Sequence, residues 1–400
     1  MSFVADTVTP WPLVPDWSDP VTETLAWLTD VLRPSRSAAS QHRALRGAPR
    51  RSLAWRALSH GQDRRLCDLL LADRGAKPWL VPVWPDVQQL TVPAVASATV
   101  IACRTAGFDF VDGGQALLFA SLRQWAVVGV AHVGGAALTL GAPLASGWPA
   151  GTRLYPLRTG RMAGAPEQQA LNDELGARDE IAAEITEACA WPAAMPTAAA
   201  YRSWPVLEWR PDETDPPAAM DARTLGLVDN ETAASPAVMD MLARALRSQR
   251  ATWLLHGRAQ QAAWRSMLYA LAGRANPVWL PSWSADLQLV LPISAVDTQI
   301  TVQWCGYTLY GLGRPGSRDL RIELVDGTAF CRRVTAAAAS SETELLTLNA
   351  ALGQAVALHQ VRQICYLRLC TLASDTVTIE HVTDADGAAR CALAFDEVAE

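Results

Sequence analysis

The sequence predicts an α+β chain built from two tandem copies of one domain, each a mainly antiparallel sheet or barrel with a packed helix. Three observations carry this prediction: a long internal repeat, one amphipathic helical segment per copy closed by glycine, and alternating strands joined by tight turns. The repeat is clearest at Trp79-Leu80-Val81-Pro82-Val83-Trp84-Pro85-Asp86. It recurs about 200 residues later as Trp279-Leu280-Pro281-Ser282-Trp283-Ser284-Ala285-Asp286, with one-residue slips. A period that long exceeds the 20 to 50 residues of solenoids and propeller blades, so each copy packs as its own domain.

The correspondence extends in both directions. Arg51, Trp55, Leu66, Leu70 and Gly75 pair with Arg250, Trp253, Trp264, Leu268 and Gly273. Upstream, Trp11-Pro12-Leu13-Val14 matches Trp204-Pro205-Val206-Leu207, which sets the starts of the copies near these positions. Downstream, Leu138-Thr139-Leu140-Gly141-Ala142-Pro143-Leu144 matches Leu346-Thr347-Leu348-Asn349-Ala350-Ala351-Leu352. The expected domains are residues 1–157, a connector over 158–203, and residues 204–400. Within the connector, Leu171, Leu175, Ile181 and Ile185 have helix-compatible spacing among acidic residues, and 192–217 is rich in proline and alanine, as an extended linker would be.

Inside each copy the sequence reads as one helix followed by a β-rich region. Asp63 to Ala72 and Arg258 to Ala272 carry apolar residues at helical spacing, with Gly75 or Gly273 at a C-cap position. Strands follow. Leu320 to Leu324 alternates apolar and charged residues, Asp326-Gly327 supplies a two-residue turn, and Ala329 to Val334 returns. A second hairpin runs from Thr376 to Thr383, turns at Asp384-Ala385-Asp386-Gly387 and comes back through Arg390 to Phe395.

Composition narrows the function classes. The 400 residues are 50% hydrophobic and 18% charged, which fits a folded chain and not a disordered one. A net charge of -6, with no long basic run, argues against stable nucleic-acid binding. No apolar run has a spanning character, so no membrane insertion is expected. The N-terminus lacks the basic flank and apolar run of a secretory signal. The eight cysteines form no C-x-x-C, and they read as buried small hydrophobes in a reducing compartment.

Candidate chemistry resolves mostly into structure. Gly311-Leu312-Gly313-Arg314-Pro315-Gly316 matches a dinucleotide-loop string, but Pro315 interrupts it and a strand pattern follows, so a hairpin loop is expected. Asp384, Asp386 and Gly387 resemble part of a calcium loop, with glycine too early and Phe395 where the last carboxylate belongs, so a tight turn is expected. The histidines at 42, 60, 132, 256, 359 and 381 are scattered, without zinc spacing. Neither G-x-S-x-G nor a Walker A string occurs. The site expectations are therefore no catalytic, cofactor-binding or metal residues, no cofactor and no enzymatic activity. Trp79 with Trp84 and Trp279 with Trp283 read as buried structural rings, with an exposed sugar-binding platform as the competing reading. Arg46, Arg50, Arg51, Arg247 and Arg250 read as solvated or salt-bridged rather than as ligands, with an interface role as the alternative.

The stretch from Gln41-His42-Arg43-Ala44-Leu45-Arg46 to Pro49-Arg50-Arg51, the following helix and Trp79 to Asp86 resemble the opening of tail-tip proteins of long-tailed bacteriophages. Leu255-His256-Gly257-Arg258-Ala259 through Trp279 to Asp286 resembles the second domain of that family, as do Arg321 to Leu324 and Ile379 to Val382. The resemblance implies tandem tail-tube-like domains and a structural protein of the distal tail or baseplate hub. Such a protein would join the six-fold tube to the tip or fibre complex and line the DNA exit channel. The partners implied are further copies of the chain, with a pseudo-six-fold trimer favoured over a hexameric distal ring, together with the tail tube, tape measure and tail fibre or other tip proteins. The implied location is the virion tail tip, after assembly in the host cytoplasm. The competing classes are a carbohydrate- or receptor-binding virion protein and a tail-associated hydrolase.

Overall fold

The computed structural model describes residues 8–32, 40–74, 76–196, 200–222, 225–229, 231, 235–240 and 244–398. It overturns the α+β expectation. The chain is mostly antiparallel β, with 47% of residues in strands and 12% helical, and hydrogen bonding links 22 strands into one network. The expectation of a packed helix in each domain fails at α1 (Gly61–Arg74), which buries only Cys67. Charges at Asp63, Arg64, Arg65, Asp68, Asp73 and Arg74 leave it a narrow apolar stripe, Cys67, Leu70 and Leu71, against the sheet. The second helix, α2 (Gly257–Leu271), does pack, with Trp264, Met267, Leu268 and Leu271 in the core.

Ten strands in each half carry the architecture. In the first they are β1 (Val21–Ala26), β2 (Arg50–His60), β3 (Trp79–Pro82), β4 (Val100–Ala102), β5 (Gln115–Ser121), β6 (Gln124–Val133), β7 (Ala137–Leu140), β8 (Arg153–Met162), β9 (Gln168–Ala170) and β10 (Leu175–Ile185). In the second they are β11 (Ala218–Ala222), β12 (Leu246–His256), β13 (Val278–Pro281), β14 (Gln299–Gln303), β15 (Asp319–Leu324), β16 (Ala329–Ser340), β17 (Thr343–Leu348), β18 (Val361–Leu372), β19 (Thr376–His381) and β20 (Ala388–Glu397). Each strand of the first set has its counterpart ten labels later. The antiparallel pairs β1·β2, β2·β10, β9·β10, β8·β10, β3·β8, β5·β8, β5·β6, β6·β7 and β4·β7 recur as β11·β12, β12·β20, β19·β20, β18·β20, β13·β18, β15·β18, β15·β16, β16·β17 and β14·β17.

The segment read as an acidic helical connector is β9 and β10. Leu175 to Ile185 buries alternate residues through much of its length, and Ala177, Ile181, Ala183 and Ile185 enter the first core, so a period of two prevails over the helical spacing. The predicted C-cap at Gly75 lies outside the described residues. α2 ends on Ala272 and Gly273, both with left-handed backbone (φ 51° and 68°). Both predicted hairpins form, as β15·β16 and β19·β20.

The repeat registers differently from its sequence matches. Pro82 and Pro281 occupy matching positions, opposite Leu157 and Leu367, so Trp279 aligns with Leu80. A one-residue slip sends a strand side chain to the other face. Trp79 accordingly packs with Trp11, Trp55 and Trp84, with ring centroids 5.3 to 5.8 Å apart at successive contacts. Trp279 packs instead with Val206 and Leu367. Likewise Arg51, opposite Leu25, corresponds to Arg247, opposite Asp221, and not to Arg250.

Candidate assembly interface

The two halves are joined edge to edge. β1 of the first pairs antiparallel with β19 of the second over six residues, from Val21 opposite His381 to Ala26 opposite Thr376. The result is one open sheet of eight strands in the order β9-β10-β2-β1-β19-β20-β12-β11. Leu25 and Trp27 cross the seam to pack in the core of the second half. Just beyond β1, Trp27 N–H donates to Asp375 O (2.8 Å), and the Thr29 hydroxyl donates to Asp375 Oδ1 (2.7 Å).

A buried ionic cluster sits under this seam. Glu23, on β1, accepts from Arg265 Nη2 at 2.7 Å, forms an ion pair with Arg51, whose Nε lies 2.7 Å from Oε1, and lies 3.0 Å from His381 Nε2. Burial opposes the Glu23 charge, but Arg265, Arg51 and His381 hold its carboxyl well below the usual carboxylate range. Burial lowers the pKa of His381, only partly countered by Glu23, which favours the neutral ring. Arg51 also meets Asp109, which Arg158 grips through Nε (3.1 Å) and Nη2. From α2, Arg258 donates to Asp86 Oδ1 at 2.7 Å, and its guanidinium lies 4.9 Å from the Phe108 ring centroid. Gly107 (φ 79°) passes so close to α2 that an added Cβ would lie 3.1 Å from that of Ala262.

The outer strands of the sheet, β9 and β11, each have one partner strand among the described residues. A flat unpaired edge is a template for another chain. The free edges are complementary, since β9 is the counterpart of β19 and β11 the counterpart of β1.

Other candidates are dispersed. The glycine string from Gly311 to Gly316 follows a π-turn (Tyr307–Gly311), contains the start of a short 3-10 turn and leads into β15, so a strand follows where the dinucleotide fingerprint needs a helix. Asp384 to Gly387 forms the turn between β19 and β20, with Gly387 N–H donating to Asp384 O. Trp79 and Trp279 are buried, Trp84 is 2% exposed, and Trp283 is half-buried with Arg210 and Arg321 against its ring. These four make no open aromatic platform. A cleft of about 1050 Å³ lies between the first half and the start of α2, with Arg104, Arg153, His256 and Asp386 on its walls. Arg104 and Asp386 pair across it. Among the described residues no group of three or more His, Cys, Asp or Glu is placed to hold a metal ion, and no helix is long and apolar enough to cross a membrane.

Sequence matching missed the cluster because its members are far apart and of common types. A readable signal lay in Asp16-Trp17-Ser18-Asp19-Pro20, repeated as Asp212-Glu213-Thr214-Asp215-Pro216 just before β1 and β11. Both form the same turn, Ser18 N–H donating to Asp16 Oδ1 (3.2 Å) and Thr214 N–H to Asp212 Oδ1 (2.9 Å). Each anchors to the neighbouring strand, Asp16 N–H to Arg56 O and Asp212 N–H to Thr252 O. No protein-family model matches the chain, and comparison with curated proteins finds no match.

Proposed function

We propose that the chain is a structural ring component of a bacteriophage tail tip, acting without catalysis as a pseudo-six-fold trimer around a DNA exit channel. The observation that carries the ring is the open eight-stranded sheet, whose halves join through unlike edges and leave the same two unlike edges free. A contact of this kind is heterologous, so repetition closes into a ring or runs on as a filament. Three chains supply six repeats, which matches a six-fold tube on one side while keeping three-fold geometry for fibres on the other. The tail-tip assignment rests on the sequence resemblance described above, and the adaptor role follows from both. Tube, tape-measure and fibre proteins are the partners of this reading.

Native mass measurement and electron microscopy of the purified assembly test it. Three chains in a ring with a central lumen are expected. Six chains per ring would replace the trimer with a hexameric distal ring, and a chain that stays monomeric in the presence of tail components would refute the ring.

A further inference from the structure

The structure also identifies the surfaces that meet when one copy adds to the next; this inference rests on the ring reading above. We infer that β11 and the 304–310 loop of one chain dock on β9 and α1 of a second copy, reproducing between chains the seam that β1 and β19 make within one.

The equivalence can be followed residue by residue. Thr22 opposite Ala54 corresponds to Ala218 opposite Arg250, so Glu23 corresponds to Ala219 and Thr24 to Met220. Ala170 faces Gly176, which faces Ser59, while His381 faces Ala389, which faces Leu255; Ser59 and Leu255 each precede the His-Gly that opens a helix. Ala170 therefore stands for His381 and Gln168 for Ile379. Counting from Gly61 and Gly257, whose N–H groups donate to matching carbonyls of Glu174 and Gly387, Leu66 stands for Ala262 and Leu69 for Arg265. Counting from Ile101 and Ile300, opposite Leu138 and Leu346, Gly306 stands for Gly107, and both have φ 79°.

The chemistry changes in concert on both surfaces. At the internal seam Arg265 and His381 both contact Glu23. Their counterparts are Ala219, Leu69 and Ala170, all three small or apolar and all three exposed. Leu69 is 72% exposed and Leu66, beside it on α1, 42%, while Met220 on the opposite face of β11 is 64% exposed. On the loop, Leu309 is 67% and Tyr310 79% exposed, whereas the matching loop of the first half is covered by α2 through Ala262 and Arg258. Arg51 is the member whose counterpart, Arg247, stays an arginine, and each has a carboxylate besides Glu23 or its equivalent, Asp109 for Arg51 and Asp221 for Arg247; the members without one change together, and stranding a charge is what costs. A solvated surface has no such requirement, so the joint replacement fits a second seam of the same geometry. The register transferred from the internal seam places Ala218 opposite Gln169, Ala219 opposite Gln168 and Met220 opposite Glu167 of the neighbour. The short β9 and the Pro216-Pro217 pair before β11 limit promiscuous pairing of these edges.

The test transplants the internal ion pair. Leu69→Arg and Ala219→Glu each strand a charge at the contact, so each alone should weaken self-association roughly a hundredfold or more, while the double variant should recover most of that loss. Both positions are exposed in the single chain, so thermal unfolding of the dilute protein should stay unchanged and verify folding. In a Cys305→Ser background, Ala219→Cys with Gln168→Cys should form interchain disulfides. Ala219→Cys with Gln169→Cys, one residue out of register and on the other face, should not. A chain that still assembles, but ignores the charge variants and forms no cross-link, would overturn this interface and leave the ring reading standing. A chain that is monomeric at every concentration reached, with no cross-link, would overturn both.

Discussion

Glu23→Ala probes the seam that holds the two halves together. The carboxylate is fully buried, with Arg51 and Arg265 each at 2.7 Å and His381 at 3.0 Å. Arg51 keeps Asp109 when Glu23 is removed, but Arg265 loses its one ion pair among the described residues and is left with the Trp191 ring, 4.7 Å from its guanidinium, and the more distant Asp86 and Asp109. Removing one member of a buried ion pair costs about 3–5 kcal/mol, because the other is left desolvated and unpaired. Urea unfolding followed by tryptophan fluorescence at pH 7 measures this as a fall in midpoint at constant slope. The triple variant Glu23→Ala, Arg265→Leu, His381→Ala installs the residues found at the outer surfaces, and it should recover at least half of the loss, because no charge is stranded. A single variant costing under about 1 kcal/mol would show that the cluster does not hold the seam. A triple variant no more stable than the single would refute the interchange of ionic and apolar seams.

Two further outcomes follow from the same residues. Burial depresses the His381 pKa below its ordinary 6.5, so the unfolded chain binds that proton more readily; stability is complete above pH 6.5 and falls as pH drops toward the folded value, by up to about 1.4 kcal/mol per pH unit. Denaturation midpoints should show this slope in the native chain and a flatter one in His381→Gln. Cys305 is the exposed thiol among eight free cysteines; partial burial and Glu344 raise its pKa, but Cys67 is raised to about 11 and Cys365 and Cys391 to about 12 and all three are buried, so on access a bulky maleimide should modify Cys305 first in the dilute chain and much more slowly after assembly.

How much of this was legible in the sequence depended on the range of the signal. The hairpins at Asp326-Gly327 and Asp384 to Gly387 were readable because turn chemistry is local. The duplication was readable through its tryptophans, yet the same tryptophans misplaced the register, since Trp79 and Trp279 point to opposite faces of equivalent strands. Leu171, Leu175, Ile181 and Ile185 suggested a helix because apolar spacing of four fits both a helix face and every second pair of strand positions. Only pairing with β2 decides between them. The α1 segment has helical spacing and is a helix, but its charges prevent it from packing as α2 does, and this moves the chain out of the α+β class. Glu23, Arg265 and His381 gave no local signal at all, because they are brought together by a pairing between segments more than 340 residues apart.

The difference in chemistry between the two seams follows from how each forms. Within one chain the halves are tethered, so the seam closes during folding and can include a desolvated ion cluster whose net contribution is small. Its value lies in register, since a slip of β1 against β19 would separate Glu23 from Arg265 and His381. Between chains, association must also offset lost translational and rotational freedom, and burying solvated charges would add to that cost. Apolar side chains such as Leu69 and Leu309 reverse the sign, because covering them releases water. The proposed outer seam should therefore strengthen in sulfate and depend little on sodium chloride, as excluded salts favour apolar burial. An outer contact that dissolved on adding moderate sodium chloride would instead be held by surface charges, such as Asp221 on β11 and Arg247 on β12, and the apolar transfer from the internal seam would be the wrong account of it.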